Sequence, residues 1–173
     1  MNTLKAATVF LLVLPCQYIY AQARETPYTK HCIYVELLGQ GGLYSVNYEH
    51  RFSPSLSGRV GFTSWSLPTT FLFQVGKIDV IGFPLMLSYL TGEGNSHLEV
   101  GVGGVLGSGR WTATSFWGES VSDGPRTFVV GTATVGYRYQ PVHKGFLFRI
   151  GATPIFGSSG VRMLGGLSGG YAF

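Results

Sequence analysis

The sequence is short of charge. Asp, Glu, Lys and Arg make up 12% of its 173 residues, while 45% are hydrophobic. Beyond residue 23 there is no stretch of about eighteen apolar residues, the length a helix needs to cross a bilayer, so a helical membrane protein is excluded. Helix formers are scarce, and the 26 glycines interrupt almost every window, which excludes long helices. No run of Lys or Arg appears, and the formal net charge of +4 is too mild to argue for nucleic acid. A chain this apolar without spanning helices must put its hydrophobic surface in a sandwich core or against lipid.

Cysteine is also sparse, with two residues, Cys16 and Cys32. The first lies in a segment built like a secretory signal. Lys5 is the positive start, Ala6 to Leu14 the apolar stretch, and Ala21-Gln22-Ala23 a small-x-small cleavage site. Pro15 disfavours lipidation of Cys16, because the position before a lipidated Cys needs a small residue. Cleavage after Ala23 predicts a signal peptide over 1–23, a short periplasmic segment over 24–30 and one domain over 31–173. Removal of Lys5 lowers the basic count from 12 to 11 against 8 acids, a net charge of +3. Only Cys32 then remains, so no intramolecular disulfide forms, and a small buried residue is expected there. Residues 24–30 are too few for a peptidoglycan-binding domain.

What the chain has is alternation. From the end backwards, Phe173, Tyr171, Gly169, Leu167, Gly165 and Met163 fall on one strand face, and the smaller, more polar Ala172, Gly170, Ser168, Gly166 and Leu164 on the other. Eight such segments are predicted, near 31–39, 43–53, 56–67, 77–91, 96–108, 126–140, 145–156 and 162–173. Ser53-Pro54-Ser55, Gly92-Glu93-Gly94-Asn95 and Pro141-Val142-His143-Lys144 read as tight hairpin turns. The stretches near 67–76, 108–125 and 156–161 read as looser loops, and Gln40-Gly41-Gly42 as a tight exception on their side. The expectation is an all-β, closed, antiparallel, eight-stranded transmembrane barrel with both termini periplasmic, since closure removes the edges.

Charge placement is the second sign. Glu36, Glu49, Arg51, Arg59, Glu99, Arg138 and Arg149 lie inside predicted strands, each on the face opposite an apolar set. Glu99 opposes Leu98, Val100 and Val102; Arg138 opposes Val135, Tyr137 and Tyr139. An Arg facing lipid near the midplane would cost about 2–4 kcal/mol. Three acids and four bases in one lumen can neutralise each other and act as a polar plug, because an eight-stranded barrel is only wide enough for side chains. On the fourth strand Asp79 has outward parity, tolerable at the outer rim, and Pro84 lacks a ladder donor, which predicts a bulge or bend.

Phe52, Tyr89, Tyr137, Tyr139, Phe146, Tyr171 and Phe173 lie near the tight turns and predict a periplasmic aromatic girdle. Trp65, Phe71, Phe73, Trp111, Phe116 and Trp117 lie in or beside the looser stretches and suggest an outer one.

The stretches Tyr34 to Phe52, Phe83 to Gly92 and His97 to Gly103, with the terminal Phe173, resemble the small outer-membrane β-barrel proteins of Gram-negative bacteria. The likeness is to the uncharacterised, Bacteroidetes-like outer membrane beta-barrel type, and it covers nearly all of the mature chain. It implies a monomer in contact with outer-membrane lipid and lipopolysaccharide. The terminal aromatic resembles the signal by which the outer-membrane assembly machinery recognises its clients. It implies no activity, because such barrels include porins, adhesins, lipid enzymes and structural proteins.

No cofactor, metal or catalytic residue is expected. His31, His50, His97 and His143 all map to the periplasmic end, away from outer-leaflet lipid, and Ser115, Ser120, Ser122 and Ser158 have Glu119 and Asp123 near but no His. His97 and Glu99 share a strand face without a third ligand. Gly101-Val102-Gly103-Gly104 is followed by no helix, so it is read as permitting tight curvature or making room for inward Arg and aromatic side chains. The predicted function is a non-catalytic outer-membrane barrel with a charge-plugged lumen, structural or surface-interacting. A narrow pore for small solutes comes second and an outer-leaflet lipid-modifying enzyme third. Arg110, Trp111, Phe116 and Trp117 are the residues that could touch a glycan, lipopolysaccharide or another protein.

Overall fold

The structure is a computed structural model that describes residues 28–71, 74–115, 120–157 and 160–173. Eight antiparallel strands close on themselves in sequence order. They are β1 (His31–Leu38), β2 (Tyr44–Ser53), β3 (Leu56–Phe71), β4 (Gln74–Thr91), β5 (Ser96–Ser115), β6 (Ser120–Tyr139), β7 (Gly145–Gly157) and β8 (Gly160–Ala172). The ring closes between β1 and β8, from Cys32 opposite Ala172 to Leu38 opposite Gly166. His31 and Phe173 exchange backbone hydrogen bonds at the seam, 3.2 Å one way and 2.8 Å the other. We call the end that holds both chain termini the terminal end, and the opposite one the distal end.

The two faces of every strand meet opposite environments. Among the described residues, 20 polar or charged side chains are buried against seven apolar ones. Val102 is 66% exposed on the outside, while Arg138 is 0% exposed within. This inversion of a soluble protein follows from period-two alternation with the apolar set turned outward. The seven aromatic residues Phe52, Tyr89, Tyr137, Tyr139, Phe146, Tyr171 and Phe173 all face outward and are exposed.

The strands are longer at the distal end than alternation suggests. β3 to β6 span 16, 18, 20 and 20 residues, against 8, 10, 13 and 13 for β1, β2, β7 and β8. Much of the expected loose loops, including 67–71, 74–76, 108–115 and 120–125, is thus ladder. The barrel wall is tall on one side and low on the other. Pro84 makes no bulge either. The β4–β5 register runs unbroken through Pro84 opposite Val105, and the β3–β4 register is the same on both sides of a short gap there. Pro84 points inward and is fully buried. Register shifts occur elsewhere, at Arg51–Ser53 and at Gly109–Trp111.

The β1–β2 connection bends into the barrel. Gly39–Gly41 form one 3-10 turn, and Gly39, Gln40 and Gly41 are all buried. Leu38, Gly39 and Gly42 take φ of 58°, 72° and 82°, a left-handed path that glycine permits.

Candidate functional site

Because side chains alternate, β1, β2, β3, β5, β6 and β7 each send charged groups into the lumen. The seven charged residues expected in the lumen are all buried there: Glu36, Glu49, Arg51, Arg59, Glu99, Arg138 and Arg149. Six of them form one connected network. Arg149 grips Glu99 with two hydrogen bonds, Nε to Oε2 at 2.8 Å and Nη2 to Oε1 at 2.6 Å. That fork-to-carboxylate geometry is the strong form of an ion pair. Arg138 Nη1 lies 2.5 Å from Glu49 Oε1 and 3.7 Å from Glu99 Oε2. The shorter contact is an ion pair without the angles of a hydrogen bond, since neither atom has a hydrogen-bond partner. Arg59 reaches Glu36 at 3.4 Å.

Arg51 stands apart from the six. Its guanidinium donates to the Pro54 carbonyl and lies over the Tyr28 ring, 5.1 Å from the centroid. Among the described residues it makes no ion pair.

Three uncharged residues complete the cluster, and charge patterning gives no hint of them. Tyr34 is the hub. Its hydroxyl accepts from Arg59 at 3.1 Å and Arg149 at 2.8 Å, and it donates to Glu49 at 3.3 Å. Gly170 lies directly across the β1–β8 seam from Tyr34, and any side chain there would collide with Tyr34 Cβ and Cα and with the Ile33 carbonyl. Gln40, carried in by the buried turn, spans the bore. Its amide donates to the Leu85 and Gly104 carbonyls and to the Thr132 hydroxyl, at 2.8, 3.1 and 2.8 Å, while its oxygen accepts from Arg59 at 2.7 Å. Ser88 donates to Glu99 at 2.9 Å. Tyr34 shares the inward parity of Glu36, which is a usable signal; Gln40 sits in a turn, where parity has no meaning.

Below the network, toward the terminal end, the lumen is closed by neutral groups. Gln140 donates to Thr29 Oγ1 at 2.9 Å and to Cys32 Sγ at 3.4 Å, and Arg138 Nη2 reaches the same sulfur at 3.4 Å. Cys32 is free and buried. The space left inside is small: a void of about 10 Å³ beside Glu36, Glu99, Arg149 and Ser168 is close to what one water needs.

Gly101 and Gly103 line this packing, while a side chain at Gly104 would meet only the Val130 carbonyl. A side chain at Gly101 would come within 2.6 Å of Ser88 Oγ and 2.7 Å of Met86 Sδ. No group of three or more His, Cys, Asp or Glu that could hold a metal ion occurs among the described residues. His97 is buried on the lumen side and is not joined to Glu99 by any hydrogen bond found.

At the distal end the picture differs from the expected loop. Arg110 and Trp111 belong to β5, not to a loop, with Arg110 opposite Asp79 and Trp111 opposite Ile78. Both are exposed. Asp79 pairs with Lys77 at 3.0 Å on the outer face. Phe116, Trp117 and Phe73 lie outside the described residues, as does the side chain of Phe71. Trp65 is not part of an outer ring of aromatics. It turns inward over the β1–β2 turn and donates its indole N–H to the Gly41 carbonyl at 3.0 Å.

No protein-family model matches the chain, and neither does any curated protein sequence. Solved structures do match. Ail, the attachment invasion locus protein of Yersinia pestis, in complex with the heparin analogue sucrose octasulfate, superposes with a TM-score of 0.57 at 15% identity, over 84% of this chain and 99% of that one. A second Ail structure gives 0.55 at 18%. The N-terminal β-barrel domain of Pseudomonas aeruginosa OprF gives 0.57 at 12% identity, over 86% of this chain and 98% of that domain. At these identities the likeness is one of fold, the eight-stranded barrel that these structures share.

Proposed function

We propose that this chain is an integral outer-membrane β-barrel of a Gram-negative bacterium, exported by a cleaved signal over residues 1–23, whose lumen is closed by its own ion pairs. Its role is structural or surface-interacting. The observation that carries the reading is Arg138, wholly buried in the bore between Glu49 and Glu99 while Val102 and its neighbours face outward. Hydrocarbon around the barrel accounts for the apolar exterior, and closure satisfies every strand edge without water. The shape likeness to Ail and OprF supports it. The narrower kinship with the Bacteroidetes-like barrels rests on the stretches quoted above.

The orientation we infer puts the termini in the periplasm and the tall β3–β6 wall outside. Outward Tyr and Phe at the terminal end then stand at the inner headgroup zone. Arg110 and Trp111, carried on that wall with Phe116 and Trp117 close by in sequence, are the residues for contact with lipopolysaccharide, a glycan or a protein. Phe173 at the seam is where the assembly machinery would read the chain. His31, His50, His97 and His143 stand at the terminal end, which leaves no histidine beside outer-leaflet lipid and supports a role without catalysis.

Planar-bilayer recording tests the closed lumen. The wild-type barrel is expected to show no steady single-channel current, and Arg138→Ala to admit small ions by removing the central guanidinium. Stable openings in wild type would replace this reading with the narrow pore.

A further inference from the structure

The outer wall at the terminal end carries a cluster that the lumen chemistry does not use. His31 and His50 are partners in the β1–β2 ladder. Their Nδ1 atoms lie 3.4 Å apart. Tyr48, two residues before His50 and so on the same face, brings its hydroxyl to 2.7 Å from the same His31 Nδ1. An imidazole nitrogen offers one proton or one lone pair, so His31 Nδ1 cannot serve both neighbours well. The Tyr48 hydroxyl and His50 Nδ1 thus both stand against one nitrogen that can satisfy only one of them.

The spacing suits a cation. Two nitrogens each about 2.0–2.1 Å from a tetrahedral zinc stand about 3.3–3.4 Å apart. The pair is therefore already at the bite of a chelate. The rings are also held in place from several sides. Phe173 stacks on His31 with centroids 5.8 Å apart and planes at 20°. Phe52 meets His50 edge-on at 5.1 Å and 72°, and Tyr48 lies along His31 at 6.1 Å and 28°. His31 is further fixed by its two backbone hydrogen bonds to Phe173. Both histidines are half-buried, so an ion can reach them from the end of the barrel.

We propose that His31, His50 and Tyr48 form a binding site for a divalent transition-metal ion, zinc or copper(II), on the outer wall where β1, β2 and β8 meet. Imidazole nitrogen selects such ions, whereas calcium and magnesium require several carboxylate or carbonyl oxygens. Glu36, Glu49 and Glu99 face the lumen, across the wall, and supply none here. The two Nδ1 atoms are the primary ligands, the Tyr48 oxygen is a third, and water fills the remaining position. Because the ligands come from two strands and Phe173 braces the cluster, the site exists only in the closed barrel.

The test uses the folded barrel, purified in detergent without an affinity tag. Zinc is titrated by calorimetry, and copper(II) is followed by electron paramagnetic resonance. One ion per barrel is expected, with hyperfine coupling from two imidazole nitrogens. His31→Phe and His50→Phe keep the ring packing but remove the nitrogens, and each should weaken binding by about tenfold or more. Tyr48→Phe should weaken it less, and His143→Ala should leave it unchanged. Heat-modifiable migration on gels shows which variants have closed. Full binding by a closed barrel carrying both His31→Phe and His50→Phe, or no binding by the closed wild type, overturns the proposal.

Discussion

The same residue types behave oppositely in the bore and on the distal wall. In the bore, Arg138 and Arg149 are buried against Glu49 and Glu99, and each of these two carboxylates meets more than one partner. On the distal wall Lys77 and Asp79 also stand 3.0 Å apart, yet their side chains are 60% and 40% exposed. Distance alone would rank the two sets together. Burial separates them, because water and ions screen the outer pair while the inner ones have no solvent to fall back on. The bore is where a lost partner is felt, and at the exposed Lys77–Asp79 pair it costs little.

That contrast can be broken in three places. Arg138→Met should have the largest effect. It strands Glu49 and Glu99 without their central cation, and removing one member of a buried pair costs about 3–5 kcal/mol. Urea unfolding of the barrel in lipid vesicles measures it. A loss no larger than that of a surface substitution would show that water enters the bore. Gln40→Leu comes next. It leaves the Thr132 hydroxyl and an arginine N–H without their partner, an effect of about 1–3 kcal/mol in the same assay. The smallest effect is expected at the rim, where Lys77→Ala should leave the unfolding midpoint unchanged within error. A drop at Lys77 matching that at Gln40 would erase the distinction.

Strand parity made the barrel legible. Charged residues fall opposite Leu98, Val100, Val102, Tyr137 and Tyr139, and an apolar-out, polar-in ribbon has few other solutions. Parity also says which residues enter the bore. It does not say which carboxylate each arginine takes, because that depends on strand stagger around the ring, as when Glu49 of β2 meets Arg138 of β6. The distal strand ends were illegible for a related reason. Thr112 to Ser115 and Ser120 to Gly124 consist mostly of small or polar residues, so the alternation that marks a strand fades although the ladder continues. Pro84 was misleading because its missing N–H costs one rung and does not require an extra residue. Trp65 looked like a ring at the interface, but its N–H needed the acceptor that the folded-in turn supplies.

The seam between β1 and β8 has a consequence for how the molecule is made. The partner of His31 is Phe173, at the other end of the sequence, so the first ribbon synthesised stays half-paired until the rest has been delivered. Such distant pairing is slow to form, and an open ribbon invites pairing with strangers. The ring therefore closes last, once both ends of the ribbon are present, and the seam is the final rung of the fold.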